Sequence, residues 1–560
     1  MSSFSGHVNF DNGSTLPQFN FSPDKKSLMV QSSLLSLTLN LFDNEHLEEH
    51  YFYDKEKNIL IISKGILFLN NQKNPLNQIV KLYTEMHYDF LKKIPGSFLL
   101  AVINFSRPEV VLATDSIGML RLYYSFQKSK LIFSTEIREL FNSSSELSKE
   151  GLMQYLMINY YTDDKTIFYD INRVLPGRLD IFQQNKKSNY KYFELFDYLV
   201  KECASVNKIS LEEVSGVLRS IIPHYTDKLK ATLTLTSGYD SRLLLAACLS
   251  QNIDITAFTF GVKENLEFKI AEKISKKINK INYFQVELDE EYENCLTSYF
   301  DYIKQSKNIE LNFNRYHYLY IWNKLKTNNN GSNILTGICG DSFTRDGLSV
   351  SYQTNKLLMN LIFTVDKVLT IKNYVISKKD LLNNLNLSEE DCIDYLMNLF
   401  SFIQNGDKYN NHFHIKINFG MRNYFATEIN LENEMLSTYP IFQDIRYLQA
   451  MIGSGYSIMS NKFLDAQNSY KLKSHKFYYK LIHLLYDELN HYPTNRGFPL
   501  KYSSSNIYLP LRLFLNMQMK RKKHMTDLNY VKWRQMIELD KNENFTFDES
   551  IKLKTLSLIN

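Results

Sequence analysis

Short apolar runs separated by turn residues dominate the first third of the chain. Runs of this kind, with Gly, Pro and Asn-Asp signals between them, predict β-strands. Residues 77–94 and 149–161 instead carry apolar side chains at helical spacing. The predicted strands are residues 34–42, 59–69, 97–105, 109–115, 121–126 and 130–136. The pattern therefore predicts an α+β domain with antiparallel sheets over residues 1–195.

The pattern changes after about residue 205, where β runs alternate with amphipathic helices. Strand and helix alternation predicts a parallel sheet that is covered on both faces. The helix-like segments are residues 211–225, 241–251 and 268–280, and the β runs are residues 231–236, 255–261 and 283–289. Residues 205–560 therefore form a predicted α/β domain with a helical C-terminal region.

Composition narrows the class of protein only slightly. The chain has 560 residues, 44% of them hydrophobic and 22% charged, and a net charge of +5. This length predicts two or more domains, and the small charge gives no reason to expect a nucleic-acid partner. The start lacks the basic flank and apolar run of a signal peptide, and no run approaches the length of a membrane span. We expect a cytoplasmic protein without a membrane contact.

Cysteine usage fits that expectation. The five cysteines are scattered, without a CxxC pair and without a His at ligand spacing. This argues against a disulfide framework and against a structural zinc site. The cysteines are Cys203, Cys248, Cys295, Cys339 and Cys392.

The stretch TSGYDS, residues 236–241, lies between a β run and a helix-like segment. Ligands of parallel sheets bind beyond the carboxyl ends of the strands, and the free amides of a helix N-terminus attract anions. Gly238 would let a phosphate approach the backbone. Asp240 would repel that phosphate unless a cation such as Mg²⁺ lay between them. The same residues also fit an ordinary turn in which Ser241 or Asp240 caps the helix.

TSGYDS resembles the SGGxDS pyrophosphate loop of the asparagine synthetase family, with Thr236 and Ser237 in place of Ser and Gly. Other segments resemble motifs of that family, in the family's order and over nearly the whole chain. ATDSIGMLRLYYSF is similar to RDxxGxxPLYY, LIFSTEIRELF to LxFASExKxLL, TIFYDINRVLPGRLDIF to TIFxxIxxLPPGxxL, ILTGICGDSF to LSGxGxDE, YPIFQD to PFLD, and NRGFPL to KRGFxxP.

The resemblance implies an N-terminal Ntn-type antiparallel sandwich, of the glutamine amidotransferase kind, and a C-terminal ATP-pyrophosphatase domain that resembles adenine nucleotide α hydrolases. In this family the second domain adenylates a carboxylate, and an amine then displaces AMP to form an amide. ATP and Mg²⁺ are the implied cofactors. The implied pyrophosphate ligands are Ser237, Gly238, Asp240 and Ser241, the Mg²⁺ ligands are Asp240 and Asp341, and the nucleotide neighbours are Leu233 or Leu235, Thr236, Thr336 and Gly337. Asp341 also fits a residue that caps its own loop.

The sequence departs from the family at the glutaminase site. The family's nucleophile is a Cys directly after Met1, and this chain has Ser2 there. An alcohol is a far poorer nucleophile than a thiolate near neutral pH. We therefore expect a degenerate glutaminase domain, which is also a property of β-lactam synthetases and lasso-peptide cyclases.

The synthetase site departs as well. Ile338 and Ser342 replace two Glu residues of the family, and Asn495 replaces its catalytic Lys. Loss of such a cation costs several kcal/mol of transition-state stabilisation. Lys501 or Arg496 is predicted to supply the missing charge, and each also fits a surface position.

Three functions are open at this point. The first is an ATP- and Mg²⁺-dependent ligase that joins a small-molecule or peptide carboxylate to an internal or small amine, with the aromatic stretch at 312–322 either lining its site or forming a core helix. The second is a glutamine-dependent amidotransferase. The third is a non-catalytic, nucleotide-binding scaffold with a partner protein from a biosynthetic pathway. A homodimer is equally compatible with the sequence.

Overall fold

The computed structural model of the chain describes most of its residues. The described residues are 4–10, 18–21, 27–31, 36–41, 50–70, 72–142, 144–203, 209–261, 263, 266–289, 292, 296–310, 317–328, 333–344, 355–433, 436–457, 467–494, 498–504 and 547–559.

Two antiparallel sheets form the N-terminal part, so the predicted antiparallel sandwich is confirmed. One sheet has the strand order β12-β10-β11-β1-β4-β3-β2, and the other has the order β14-β13-β9-β8-β6-β5, with β7 paired to β6. The strands are β1 (Phe4–Asn9), β2 (Gln18–Phe21), β3 (Ser27–Gln31), β4 (Ser36–Leu41), β5 (Tyr51–Asp54), β6 (Ile59–Leu69), β7 (Gln72–Lys73), β8 (Gly96–Asn104), β9 (Glu109–Thr114), β10 (Tyr123–Gln127), β11 (Lys130–Ser134), β12 (Asn172–Arg173), β13 (Arg178–Gln183) and β14 (Lys186–Lys191).

Strand β6 shows why the N-terminal strands are apolar runs instead of alternating patterns. Leu60 and Ile62 pack into the core between the two sheets, with Phe133 of the facing sheet. Ile59 and Ile61 face the other way, into a cluster that includes helix residues of 76–86. Both faces of the strand are therefore buried, and both select apolar side chains.

A five-stranded parallel sheet follows, with the order β17-β16-β15-β18-β19. All four neighbouring pairs are parallel, as the alternation of strands and helices predicts. The strands are β15 (Lys230–Thr234), β16 (Asp254–Gly261), β17 (Ile281–Glu287), β18 (Ile334–Thr336) and β19 (Thr438–Pro440).

The helix of residues 76–86 packs on an antiparallel sheet, and later helices pack around the parallel sheet and make up most of the described C-terminal part. The helices are α1 (Leu76–Met86), α2 (Lys149–Ile158), α3 (Leu195–Asp197), α4 (Leu211–Tyr225), α5 (Tyr239–Leu249), α6 (Leu266–Lys277), α7 (Leu296–Ser306), α8 (His317–Asn328), α9 (Lys356–Ile362), α10 (Lys367–Ile376), α11 (Lys379–Asn384), α12 (Glu389–Leu399), α13 (Lys408–Ile415), α14 (Ala426–Glu432), α15 (Ile445–Gly453), α16 (Gln467–Tyr486) and α17 (Phe547–Ile559). A π-helix, Lys416–Phe425, joins α13 to α14, so residues 408–432 form one continuous helical segment. We call it the connecting helix. None of the described helices is long and apolar enough to cross a bilayer.

The connecting helix contacts the segment between β9 and β10 of the N-terminal part. The backbone N–H of Arg121 donates to Asn430 Oδ1 at 2.9 Å, and Arg422 Nη2 donates to the carbonyl of Ser116 at 2.9 Å. These bonds join positions about 300 residues apart in the chain. The antiparallel part and the connecting helix are thus packed into one body at this contact.

Candidate active site

Two segments singled out by the sequence lie side by side. We call TSGYDS, residues 236–241, the first loop and TGICGD, residues 336–341, the second loop. Strands β15 and β18 pair in parallel, with Leu233 opposite Leu335. Their carboxyl ends therefore open at the same edge of the sheet, where a ligand site is expected in this architecture. Helix α5 starts directly after the first loop, with Gly238 in the N-cap position. The cap is Gly238, so the alternative in which Ser241 or Asp240 caps this helix is wrong.

Asp240 is held between the second loop and helix α16. The Tyr478 hydroxyl of α16 donates a hydrogen bond to Asp240 Oδ1. Burial and then the negative charges of Asp240 and Asp341 raise the pKa of Tyr478 well above its usual value. The two carboxylates predicted to share a cation are therefore both close to one buried phenol.

Glycines let the second loop approach Asp240. A Cβ at Gly337 would lie 3.3 Å from Asp240 Cβ, and a Cβ at Gly340 would lie 2.8 Å from Asp240 Cγ. The same Cβ at Gly340 would lie 2.8 Å from the ring of Phe442. Side chains at these positions would displace the carboxylate, which explains the Gly-rich sequence TGICGD.

The first loop satisfies its own amides. Ser241 Oγ accepts from the Thr236 N–H at 3.1 Å and lies 2.8 Å from Thr236 Oγ1. Thr236 Oγ1 in turn accepts from the Gly238 N–H at 3.1 Å. The hydroxyls of the loop thus fix its backbone in a tight turn at the start of α5.

The third amide of this loop binds a carboxylate of the protein itself. Glu267, in the first turn of α6, accepts from the Ser237 N–H and, at 2.6 Å, from the Ser237 hydroxyl. Ser237 is fully buried. A carboxylate with two charge-assisted bonds in this place shows that the loop is electrostatically suited to an oxyanion. It also shows that a phosphate would have to displace Glu267 from Ser237.

A cavity of about 260 Å³ opens beside the two loops. We call it the strand-end cavity. Thr236, Asp240 and Thr336 line one side of it, and aromatic side chains of α8 line another. Both interpretations of the aromatic stretch apply to that helix, because Trp322 is buried in the core and also forms the cavity wall. The full lining is Thr234, Thr236, Asp240, Ser241, Phe258, Phe260, Tyr318, Ile321, Trp322, Leu325, Ile334, Thr336, Gly337, Ile338, Glu428 and Glu432.

Two glutamates of α14 line the far side of the strand-end cavity. Glu428 and Glu432 are one helical turn apart, and both are buried. Burial and then the neighbouring Glu428 charge raise the pKa of Glu432 to about 8. Glu432 is therefore largely protonated at neutral pH, whereas the wall around it carries further negative charge.

A buried lysine compensates part of that charge. Lys416, at the start of the π-helix, is 2% exposed and lies 5.8 Å from the ring centre of Phe343. Its positive charge and the negative charges of Asp341 and Glu428 all act on the buried thiol of Cys339. Lys416 thus lies in the same electrostatic environment as the two loops.

Several described residues of the predicted site do not line the cavity. Leu233 and Leu235 are fully buried in the core under α5, and Thr234 and Thr236 face the cavity in their place. Lys501 is exposed and lies over the Tyr502 ring at 5.5 Å, and it is not part of the cavity lining. Arg496 and Asn495 lie outside the described residues, as does Ser2.

Arg242 fixes the chain at Tyr492 and Pro493. Its buried guanidinium donates to the carbonyl oxygens of Tyr492, at 2.8 Å, and Pro493. Because Arg242 is in the first turns of α5, the chain at Pro493 lies beside the start of that helix. The prediction that Arg496 supplies a catalytic charge stays a prediction.

Several of these residues were not found from the sequence. Glu267, Lys416, Glu428, Glu432 and Tyr478 lie in helical segments without a recognisable motif, and only their packing brings them to the loops. The Arg in the loop-helix sequence YDSRLLL was the one available signal, because a charged side chain inside an apolar run needs buried acceptors.

The carboxylates of Asp240 and Asp341 are ligands of the kind that a hydrated Mg²⁺ ion uses. Mg²⁺ keeps several waters and is usually bound by one or two carboxylates together with substrate phosphates. Asp240 and Asp341 provide two such carboxylates. Within the described part of the chain no group of three or more His, Cys, Asp and Glu side chains could hold a metal ion, so a closed all-protein site is absent there.

Comparison with known proteins relates the chain to amidotransferases and asparagine synthetases. Residues 75–193 match the glutamine amidotransferase domain family. The amidase chyE of Penicillium rubens is 27% identical over 171 residues, which cover 29% of this chain and 25% of that protein. A glutamine-hydrolysing asparagine synthetase of Bacillus subtilis is 25% identical over 232 residues, covering 39% of this chain and 35% of that protein.

These matches support an asparagine synthetase-like relationship for the chain. The aligned regions span only about a quarter to a third of these relatives. Among solved structures, the allosteric regulatory enzyme of purine biosynthesis matches 51% of this chain and 74% of its own, with 8% identity and a TM-score of 0.21.

Proposed function

We propose that this protein is an ATP- and Mg²⁺-dependent ligase that adenylates a carboxylate and lets an internal or small amine displace AMP, without hydrolysing glutamine. The observation that carries the proposal is the position of Asp240 on the cavity wall at the carboxyl ends of β15 and β18, with Asp341 acting on the same buried Tyr478 hydroxyl that binds Asp240. Two carboxylates there suit a hydrated cation that neutralises a departing pyrophosphate.

Each neighbouring residue has a role in this proposal. Tyr478 orients the Asp240 carboxylate through its hydrogen bond. Lys416 supplies a fixed positive charge near Asp341. This charge takes the role of the family's catalytic lysine, which Asn495 replaces in this chain. Glu428 lines the cavity beside the largely protonated Glu432, and the negative charge of Glu428 favours a substrate that carries an amine.

The loss of glutamine hydrolysis rests on Ser2. The matched amidotransferase region, residues 75–193, covers strands β8–β14 of this domain and not its first residues. In this proposal the N-terminal domain is retained as a packing partner of the connecting helix.

One observation favours a second candidate function, a nucleotide-binding scaffold without ligase activity. Glu267 occupies the Ser237 amide and hydroxyl, which a phosphate would need. If Glu267 does not leave, pyrophosphate cannot be bound productively. Nucleotide could then contact only the outer part of the cavity.

Pyrophosphate release distinguishes the two functions. The full-length protein is incubated with ATP, Mg²⁺, hydroxylamine as a trap for acyl-adenylates, and pools of carboxylic acids. We expect release that depends on one acid and falls roughly 100-fold in Asp240→Asn. Asp254→Asn, at the exposed start of β16, is the matched control and should keep full activity. Nucleotide binding without acid-dependent release in any pool would favour the scaffold.

A further inference from the structure

A second cavity, of about 210 Å³, lies where the antiparallel sheets meet the connecting helix. We call it the arginine cavity. Five cationic side chains line it, and Glu194 is the one acidic residue among its lining residues. The cations are Arg121, Arg173, Arg178, Lys191 and Arg422. Neither the proposed function nor the family resemblance assigns a role to this cavity.

Uncharged carbonyl groups hold three of these guanidinium groups in place. Arg121 donates to the carbonyl oxygens of Gly118, at 3.1 Å, and Arg422, at 2.7 Å. Arg422 donates to Ser116 O, and Arg173 Nε donates to Asp163 O at 2.8 Å. Carbonyl oxygens fix the orientation of a guanidinium and leave its charge uncompensated.

Glu194 balances part of this charge from within the cavity, since it pairs with Lys191 and acts on Arg422. The other carboxylates that balance these charges do not line the cavity. Glu310 is shared between Arg121, at 3.5 Å, and Arg173, at 3.9 Å. Arg178 lies 3.5 Å from Asp164 and 3.4 Å from Asp180, and Lys187 competes for the same two carboxylates. Asp163 acts on Arg173 and Asp115 on Arg422, also without lining the cavity. The wall itself is therefore strongly positive.

Two guanidinium nitrogens at this cavity, Arg178 Nε and Arg422 Nε, are buried without a hydrogen-bond partner among the described residues. Arg121 Nε and Arg178 Nη2 face carboxylate oxygens only at 3.4–3.5 Å and without hydrogen-bond geometry. Burial and then the charge of Arg121 lower the pKa of Arg173 to about 10, which still leaves it charged. Buried donors without an acceptor are uncommon in native proteins and call for an ion or water that completes them.

We propose that the arginine cavity binds a small oxyanion that carries at least two negative charges, and that this ligand bridges the antiparallel sheets and the connecting helix. Planar guanidinium groups match the paired oxygens of phosphates and carboxylates. The cavity volume of about 210 Å³ leaves room for a phosphate, a pyrophosphate or a short dicarboxylate. This proposal does not depend on the ligase function.

Thermal unfolding of the full-length protein tests the site. Inorganic phosphate, pyrophosphate and succinate are titrated separately against chloride at constant ionic strength. We expect a saturable rise in Tm with at least one of the three, and the strongest of them identifies the ligand chemistry. Arg178→Gln, on the partly exposed side of the cavity, should weaken that binding at least tenfold. Arg138→Gln, whose side chain is 51% exposed and lies away from the cavity, should bind like the wild type.

Two results would overturn the proposal. One is the absence of any saturable rise in Tm with all three anions. The other is an equal rise in Arg178→Gln and in the wild type, which would place the anion elsewhere, for example on the Ser237 loop. Should Arg178→Gln not fold, Lys191→Gln at the exposed mouth is the second variant, and it should show the same loss of binding.

Discussion

The strand-end cavity and the arginine cavity share one helical element and have opposite electrostatic character. Glu428 and Glu432 of the connecting helix line the first, whereas Arg422 of the same helix lines the second. The first is built at strand ends by loops whose sequence is recognisable. The second is built where two parts of the chain pack together, from residues with no common motif.

Burial acts differently on the two kinds of charge. Arg173 keeps its charge at neutral pH although burial lowers its pKa to about 10. Glu432, with a pKa raised to about 8, is largely neutral at pH 7 and ionises slightly above it. The arginine cavity is therefore permanently charged, whereas the charge of the strand-end cavity changes with pH.

The largest expected effect on stability comes from a substitution in the arginine cavity. Arg121→Met removes the bonds to Gly118 and Arg422 and leaves Glu310 with less compensation for its buried charge. We expect the free energy of unfolding in urea to fall by about 3–5 kcal/mol. Arg138→Met, a matched exposed arginine, should change it by less than about 0.5 kcal/mol. Equal effects of the two changes would mean that the arginine cavity does not join the two parts of the chain.

The next largest effect is expected at the strand-end cavity, where Glu432 changes its charge with pH. In the folded protein the pKa of Glu432 is raised from its usual value of 4.5 to about 8. The folded protein therefore binds this proton more tightly than the unfolded chain does, and the free energy of unfolding falls as the pH rises from 4.5 to 8. Glu432→Gln stays neutral and removes that loss. Relative to the wild type, the variant should gain on the order of 3 kcal/mol between pH 5 and pH 9.

Urea unfolding at a series of pH values measures that gain. Glu390→Gln, on an exposed position of α12, is the control and should keep the wild-type pH profile. A pH profile of Glu432→Gln parallel to that of the wild type would contradict a buried, protonated Glu432.

The contrast between the two cavities also explains what the sequence could predict. Strand β6 was found over its full extent and α4 was found residue for residue, because both have uninterrupted patterns. Strands β13 and β14 were missed, since β14 alternates polar residues on an exposed edge and gives no apolar signal. The Asp240 loop was found because strand, loop and helix follow one another in the chain.

The rest of the site depends on contacts over long sequence separations. Tyr478 reaches Asp240 across 238 positions, and Glu267 reaches Ser237 across 30. Arg121 and Arg422 of the arginine cavity are about 300 positions apart, and neither lies in a charged run that would have marked it. Such contacts follow from the packing of helices on sheets, which local patterns do not specify.

A smaller effect tests the packing of the two strand-end loops. Gly340→Ala places a Cβ 2.8 Å from Asp240 Cγ and from the Phe442 ring, so both must shift. We expect a loss of about 1–3 kcal/mol in stability together with reduced pyrophosphate release. In Gly216→Ala, on α4, the Cβ meets nothing within 4 Å, and helix propensity should stabilise the protein by about 0.5–1 kcal/mol. A neutral Gly340→Ala would show that the second loop does not position Asp240.

The smallest expected change in stability lies at Glu267, and it carries the most information about function. Glu267→Gln weakens the two bonds to Ser237 and should lower stability by about 1 kcal/mol. The same change removes a negative charge from the place a phosphate would occupy, so ATP should bind about 3–10 times more tightly when its phosphates reach this loop. Glu272→Gln, on the same helix with a 43% exposed side chain, is the control and should alter neither property.

Isothermal titration with ATP and Mg²⁺ measures the affinity. Unchanged or weaker ATP binding in Glu267→Gln would mean that Glu267 is a permanent part of the turn, and the Ser237 loop would then resemble a pyrophosphate loop in sequence without binding pyrophosphate.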